Sequence, residues 1–277
     1  MEKAQDQMEK QQGCAKGTPD FFRKRRRTDL LFAACVLGLF VFSSALTGFS
    51  LADGISSIPR ALVWMGQNLI PDEQALTRLP KVLSRLYETA MLSVAVTVLA
   101  AVLAFLFSLA GSKTTGRGRL FPRLVRIVAA FFRNVPDVVW SILLMFSFGQ
   151  NILTGFFALF FTTFGLLTRA FIETVDEVSA SCVEALTSTG ASFFPIVFQG
   201  VIPSAMSGLM TWILYMIETN IRSSTLIGIL TGTGIGYLFD LYYKRLEYPT
   251  ASLVVLSIVV LVLLIETISN RVRRAIL

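Results

Sequence analysis

The sequence of 277 residues contains no histidine. That excludes imidazole acid–base chemistry and histidine-ligated metal sites. Charge is scarce: 16% of residues are Asp, Glu, Lys or Arg, against about 25% in soluble domains. Cysteine is nearly absent, and Cys14, Cys35 and Cys182 are too few and too scattered for a disulfide framework. Cys14 follows Gln11-Gln12-Gly13, which is not a lipobox, and Cys35 lies in an apolar run as a small hydrophobe. No phosphate-loop lysine and no carboxylate pair of a soluble catalytic fold is present. The chain therefore carries no visible hydrolytic or energy-transducing site, no metal site and no cofactor of its own, and it does not read as an enzyme.

What it has instead is apolar length. Hydrophobic residues make up 54% of the chain, 23 of them Phe. Repeated apolar runs of about 20 residues indicate an all-α integral membrane protein. The net charge of +7 does not point to nucleic acid, because the basic residues cluster beside apolar runs, where they act as topology signals.

Residues 1–28 read as a basic cytoplasmic tail, disordered or interfacial, ending in the run Arg23-Lys24-Arg25-Arg26-Arg27. Residues 29–277 form the membrane domain. Span 1 follows from about Leu30 to Leu51; its length is too great for the apolar core of a signal peptide. Residues 52–84, with Pro59, Pro71 and Pro80, form an external loop that includes a short interfacial helix. Span 2 runs from Tyr87 to Ala110, and a basic loop with Lys113, Arg117 and Arg119 leads to the stretch Leu124–Phe148. Arg133-Asn134-Val135-Pro136-Asp137 interrupts that stretch, so span 3 starts near Pro136, close to the cytoplasmic surface. Gly149-Gln150-Asn151 is an external turn, and span 4 covers Ile152–Ile172. Span 5 runs from Pro203 toward Leu230, Gly228–Gly236 is a flexible external turn, and span 6 covers Ala251–Ile268. With the amino terminus inside, 18 of the 25 lysines and arginines fall on the inner side. Six spans with both termini cytoplasmic follow.

Between spans 4 and 5, over about 173–204, lies a polar helix-forming island on the inner side. Ser181-Cys182-Val183-Glu184 fits a capping box. Gly190 stands where a left-handed residue ends a short helix. A second helix starts at Ser192, with Pro195 in its first turn, and the chain re-enters the membrane at Pro203. Two short helices joined at a glycine form a rigid element. Few basic residues face outward, so docking of another protein fits better than lying on lipid headgroups.

Glu218 and Arg222 are spaced to pair on one face of span 5. They lie in its far half or at the outer surface. Either they lock the span to its neighbours, or they line a hydrophilic path for a polar, anionic solute, with Asn220, Ser223 and Ser224 as neutral partners. Arg133, Asn134 and Asp137 allow the same two readings. The glycines of 228–236 are no nucleotide loop, since no strand precedes them.

Glu184-Ala185-Leu186, three residues, Gly190, nine residues and Gly200-Val201-Ile202-Pro203 resemble the EAA loop of bacterial ABC-importer permeases. The family pattern is Glu-Ala-Ala, three residues, Gly, nine residues, Ile-x-Leu-Pro. This chain departs from it at Leu186, Gly200 and Ile202, with the spacing intact. Arg133-Asn134-Val135-Pro136 is similar to the family's Arg-x-x-Pro. Glu218-Thr219-Asn220-Ile221-Arg222-Ser223-Ser224-Thr225 and the glycine turn after it look like the phosphonate-type members. The resemblance covers about residues 85–277. It implies a type I importer permease of the bacterial inner membrane, working as a homodimer. Two ATPase subunits that bind ATP and Mg would dock on Glu184, Ala185, Leu186, Gly190 and Pro203. An extracytoplasmic binding protein would deliver phosphonate or a related phosphorus oxyanion on the Arg222 side. A methionine or compatible-solute permease sharing the loop, and a channel or anchor needing no ATPase, remain as alternatives.

Overall fold

The computed structural model describes residues 18–116, 118 and 120–276, and every regular element among them is helical. The chain divides into two units, residues 1–64 and 65–277. In the first, α1 (Thr18–Thr47) begins with Pro19 in its opening turn, where the missing amide hydrogen costs nothing. Residues 1–17 of the expected tail lie outside the described residues. Residues 18–28 are helical, so Arg25–Arg27 belong to α1. Gly48 turns the chain at φ +66, and α2 (Leu51–Asn68) opens with the Asp53 amide donating to Ser50 Oγ at 3.2 Å. Leu51, Ile55, Leu62 and Met65 repeat at helical spacing along α2, a helix that falls largely within the expected loop 52–84.

In the second unit, α3 (Glu73–Thr77) is capped by Asp72, whose Oδ1 accepts from the Ala75 amide at 2.7 Å. Then come α4 (Leu79–Gly111), α5 (Leu120–Asn134), α6 (Asp137–Phe148), α7 (Ile152–Val178) and α8 (Ala180–Ser188). One continuous helix, α9 (Phe193–Thr231), follows, and α10 (Gly234–Lys244) and α11 (Tyr248–Ile276) complete the unit. Five described helices are long and apolar enough to cross a membrane: α4, α7, α9, α11 and the Arg25–Thr47 part of α1.

The remaining pair, α5 and α6, is bent by 87°. At about 1.5 Å per residue, α6 alone is about 18 Å long, short of the ~30 Å hydrocarbon core. A single span starting at Pro136 is therefore corrected to a bent pair, either a broken crossing or a re-entrant loop. Gly111 and Arg126 meet Asp176 and Ile172 at one end of α7. At its other end the Gln150 amide donates to the Leu230 carbonyl, and the Ile235 amide to Thr89 Oγ1. So α4 and α7 run in the same direction. The bent pair returns the chain between them, with α5 beside the second half of α7 and α6 beside the first.

The break lies at Val135-Pro136, alongside Thr162 and Gly165, halfway along α7. The expected position near the cytoplasmic surface is thus corrected to mid-depth. A proline cannot continue the amide ladder, and the freed carbonyls find other donors. Thr162 Oγ1 donates to the Val135 carbonyl and Trp140 Nε1 to that of Phe132, each at 3.5 Å. Phe132 stacks on Phe161 at 5.0 Å, and Trp140 meets the same ring edge-on at 4.9 Å. Much of the chain's phenylalanine is thereby used to hold a bent backbone. Gly165 completes the junction: a Cβ there would lie 2.6 Å from the Arg133 backbone nitrogen and 2.7 Å from the Ala129 oxygen.

The glycine segment 228–236 is not a flexible turn. Helix α9 runs on to Thr231, Gly232 turns the chain at φ +67, and α10 starts at Gly234, folding back on α9. The polar segment after it is the helix α10, whose Ile235, Leu238 and Tyr242 are buried with Val82, Leu86 and Val254.

Candidate functional site

The island between spans folds into one short helix and the start of a long one. α8 begins one residue after α7 ends, with Ser179 between them; the Ser179 amide donates to the Val175 carbonyl and the Val183 amide to the Ser179 carbonyl. The residue before α8 is Ser179, not Ser181, its side chain makes no capping hydrogen bond, and no capping box forms. Ser181 stands inside the helix and Glu184 lies past its first turn, exposed. The C-terminal end matches its expectation: Gly190 has φ +79, its amide donates to the Thr187 carbonyl at 3.0 Å, and that of Ala191 to the Leu186 carbonyl at 3.1 Å. This is the Schellman arrangement.

Ser192 then starts the next helix. Residues Ile196–Val201 form a π turn in which the Ile202 amide reaches back to the Val197 carbonyl. α-Helix resumes at Ile202, so Pro203 falls in a first turn and interrupts nothing. A separate second short helix is accordingly corrected: residues from Phe193 onward are the first part of α9.

α8 packs through Cys182, Val183 and Leu186. A Cβ at Gly200 would meet Leu186 Cδ1 at 2.9 Å and Cys182 Sγ at 3.3 Å, so the absence of a side chain at Gly200 is what lets the longer Leu186 fit. Val183 is buried with Val201, Ala205 and Leu209. Glu184 and Ala185 face outward, as do Gly190 and Pro203. The result is a braced helical corner with a polar outer face.

In α9 the polar cluster splits between two faces, as residues two apart on a helix must. Asn220 is buried: its amide donates to Thr97 Oγ1 at 2.8 Å, and its carbonyl oxygen accepts from Thr163 Oγ1 at 3.1 Å. One turn on, Ser93 Oγ donates to Ser224 Oγ at 3.1 Å. Thr89, Ser93 and Thr97 of α4, at four-residue spacing, supply the facing side, a signal that was legible in the sequence and went unused. Thr97 and Thr163 lie near the middle of their helices, so Asn220 sits at mid-depth. Asn220→Ala should lower the stability of the membrane domain by about 1–2 kcal/mol, the upper range for interhelical hydrogen bonds in membranes. A thermal melt in detergent checks this; a melting temperature equal to that of wild type would contradict it.

Glu218 and Arg222 lie on the opposite face, with Nη2 to Oε1 at 3.2 Å. The Arg222 side chain is 53% exposed and that of Glu218 18%. Both flank the level of Asn220, in the second half of α9. Ser204, Ser207 and Thr211 extend this face toward the cytoplasmic end. Ser223 is half-buried between the faces.

Arg133, Asn134 and Asp137 stand at the break in the α5–α6 pair, at similar depth. Asn134 is exposed, Asp137 Oδ1 accepts from the Val138 amide at 2.9 Å, and Arg133 Nε is buried with no hydrogen-bond partner. Both charged groups thus lie level with the middle part of α7.

The family profile for the inner membrane component of binding-protein-dependent transport systems matches residues 97–277. Among curated proteins, the putative phosphite transport system permease protein HtxC of Stutzerimonas stutzeri is 26% identical over 253 residues, 91% of this chain and 89% of that one. The phosphate-import permease protein PhnE of Mycolicibacterium smegmatis is 27% identical over 190 residues, 69% of this chain but 36% of its own length. Among solved structures, an inward-facing form of the MetNI methionine ABC transporter aligns with a TM-score of 0.57 at 21% identity, over 70% of this chain and 97% of that one. The structural likeness extends to the fold, and the profile covers the broken span, the helical corner and the charged pair together. The chain is an ABC-importer permease and belongs to the family of inner membrane components of binding-protein-dependent transport systems.

Proposed function

We propose that this permease subunit imports phosphonate or a related phosphorus oxyanion (phosphite, phosphate or phosphate esters) as a homodimer. Two ATPase subunits dock on its helical corners, and an extracytoplasmic binding protein presents the solute. The observation that carries the reading is the Glu218–Arg222 pair, placed at mid-depth on the face of α9 turned away from the core. Ionisable groups are expensive in lipid, so that face belongs against a second copy or a water-filled path. The arginine offers a planar fork of donors suited to phosphorus oxyanions. Relatives named for phosphite and phosphate import support the substrate class. The topology that fits is six crossings with both termini cytoplasmic and the α5–α6 pair as a broken third crossing; the excess of basic residues on the corner's side supports it.

The test is ATP-dependent accumulation in proteoliposomes holding the permease with its cognate ATPase and binding protein. Methylphosphonate, phosphite and inorganic phosphate are compared with methionine and glycine betaine. Accumulation of at least one phosphorus anion, and of neither control, is the expected result. Uptake of methionine or betaine alone would sink the substrate class, and solute passage without ATP would favour a channel.

A further inference from the structure

Asp176 is the last acidic side chain of α7 but one, a turn before the docking helix α8 begins. Its Oδ1 accepts from Ser112 Oγ at 2.6 Å and from the Lys113 amide at 2.7 Å, with the Thr114 amide and hydroxyl at 3.4 Å. Its Oδ2 accepts from Arg126 Nη2 at 3.0 Å, and Arg126 Nε donates to the Gly111 carbonyl at 3.1 Å. One carboxylate thereby joins three pieces of chain: the end of α7, the loop leaving α4, and α5. Ser112 is fully buried and the Asp176 side chain is 23% exposed, so the contact is partly shielded from water.

The rest of the α5–α7 contact is uneven. A cavity of about 210 Å³, lined by Arg126, Ala129, Ala130, Arg169, Ile172 and Glu173, opens between the two helices. Beyond it the helices close again at Gly165, against the backbone of Arg133 and Ala129. Within the packing along α5 and α7, two contacts stand out, a polar one beside the docking helix and a close one at the break, with the cavity between them. A stiff helix held in this way acts as a lever.

We propose that Asp176 is a positioning residue that transmits movement of the docking helix, through Arg126 and α5, to the mid-depth break at Arg133–Asp137. This rests on the importer reading above. Movement of α8 at Ser179 shifts Asp176, one turn away on the continuous helical path. Arg126 follows through a charge-assisted bond. The far end of α5 then turns against Gly165, where the bent backbone, with few hydrogen bonds of its own, offers least resistance. The coupling runs through an identified chain of contacts between two sites, which is what transmission requires.

Two measurements on Asp176→Asn test this. In the complete complex in proteoliposomes, ATPase association and ATP hydrolysis should stay within about twofold of wild type while solute imported per ATP falls roughly tenfold, within the usual range of coupling between sites. Arg126→Gln should reproduce the loss, and the double variant should be no worse than either single one. Asp176→Glu, which keeps the charge, should recover part of the coupling. Unchanged transport per ATP, or loss of the ATPase itself, would overturn the proposal, the latter by making Asp176 part of the dock. The second measurement needs no partner. Amide hydrogen exchange in the purified permease should quicken at 113–115 and also at 132–138, whereas a change confined to 113–115 overturns the lever. A wild-type complex that imports none of the phosphorus anions would count against the proposed substrate and leave the exchange result standing.

Discussion

Arg222→Ala is expected to abolish uptake, with a fall of about a hundredfold or more, while the protein still inserts at wild-type levels. The magnitude follows from the loss of the forked donor that the proposed reading assigns to the anion. The change removes a forked cation from a face that makes no contact with Asn220, Ser224 or the buried side of α9, so the fold has no reason to fail. It does leave Glu218, 18% exposed, without its partner. The companion variant Arg222→Ala with Glu218→Gln removes that carboxylate; it should equal wild type in melting temperature and still fail to import. Arg222→Lys keeps the charge but not the fork, and should give partial uptake. Uptake by Arg222→Ala at the wild-type rate, measured with labelled anion in intact cells, would reduce the pair to a structural one.

The second large effect is expected at the helical corner. Gly190 sits at φ +79 with open space where a Cβ would be. A substitution there therefore acts on the backbone alone. A left-handed residue with a side chain costs about 1–2 kcal/mol, and more for a β-branched one. Gly190→Val should unwind the last turn of α8, cut the ATPase recovered with the detergent-solubilised permease by about tenfold, and reduce uptake in proportion, since one or two kcal/mol corresponds to roughly 5–30-fold in population. Gly190→Asn, which tolerates that conformation, should come close to wild type. Equal ATPase recovery for the valine variant and wild type would show that the angle between α8 and α9 is held elsewhere, for instance by Gly200 against Leu186.

These two sites differ in how far they could be read from the chain. The ends of the corner at Gly190 and Ser192 are local events, set by backbone preference, and were legible. So was the pairing of Glu218 with Arg222, which depends only on helical spacing. The start of α8 was not: Ser181 and Glu184 have the spacing of a capping box, but α7 runs on to Val178 and α8 starts at Ala180, so Ser181 falls inside it. Pro203 misled for a similar reason, because a π turn ahead of it had already shifted the hydrogen-bond register.

Depth was the least legible quantity. Pro136 marked a break correctly, yet whether that break lies at a surface or in mid-span depends on which residues of α7 it meets. The buried side of α9 was hidden too, because in an apolar helix periodicity does not distinguish lipid from protein neighbours; only Thr97 and Thr163 decide that Asn220 faces inward. Asp176 drew no notice, since its partners lie 50 or more positions away in the chain.

One consequence of the Glu218–Arg222 pair concerns voltage. On the proposed reading, each copy places one positive and one negative charge at nearly the same height, so the unloaded path would present little net charge to the electric field across the membrane. An oxyanion arriving there is uncompensated. Its passage toward a negative interior is opposed by roughly 2.3 kcal/mol per charge for each 100 mV. The membrane potential therefore weighs on the loaded state and spares the empty one, and a doubly charged solute meets twice the opposition of a singly charged one. On the proposed reading, that asymmetry is a physical reason for transport to be driven by nucleotide hydrolysis in a partner ATPase docked at the corner of Glu184 and Ala185 instead of by the gradient itself.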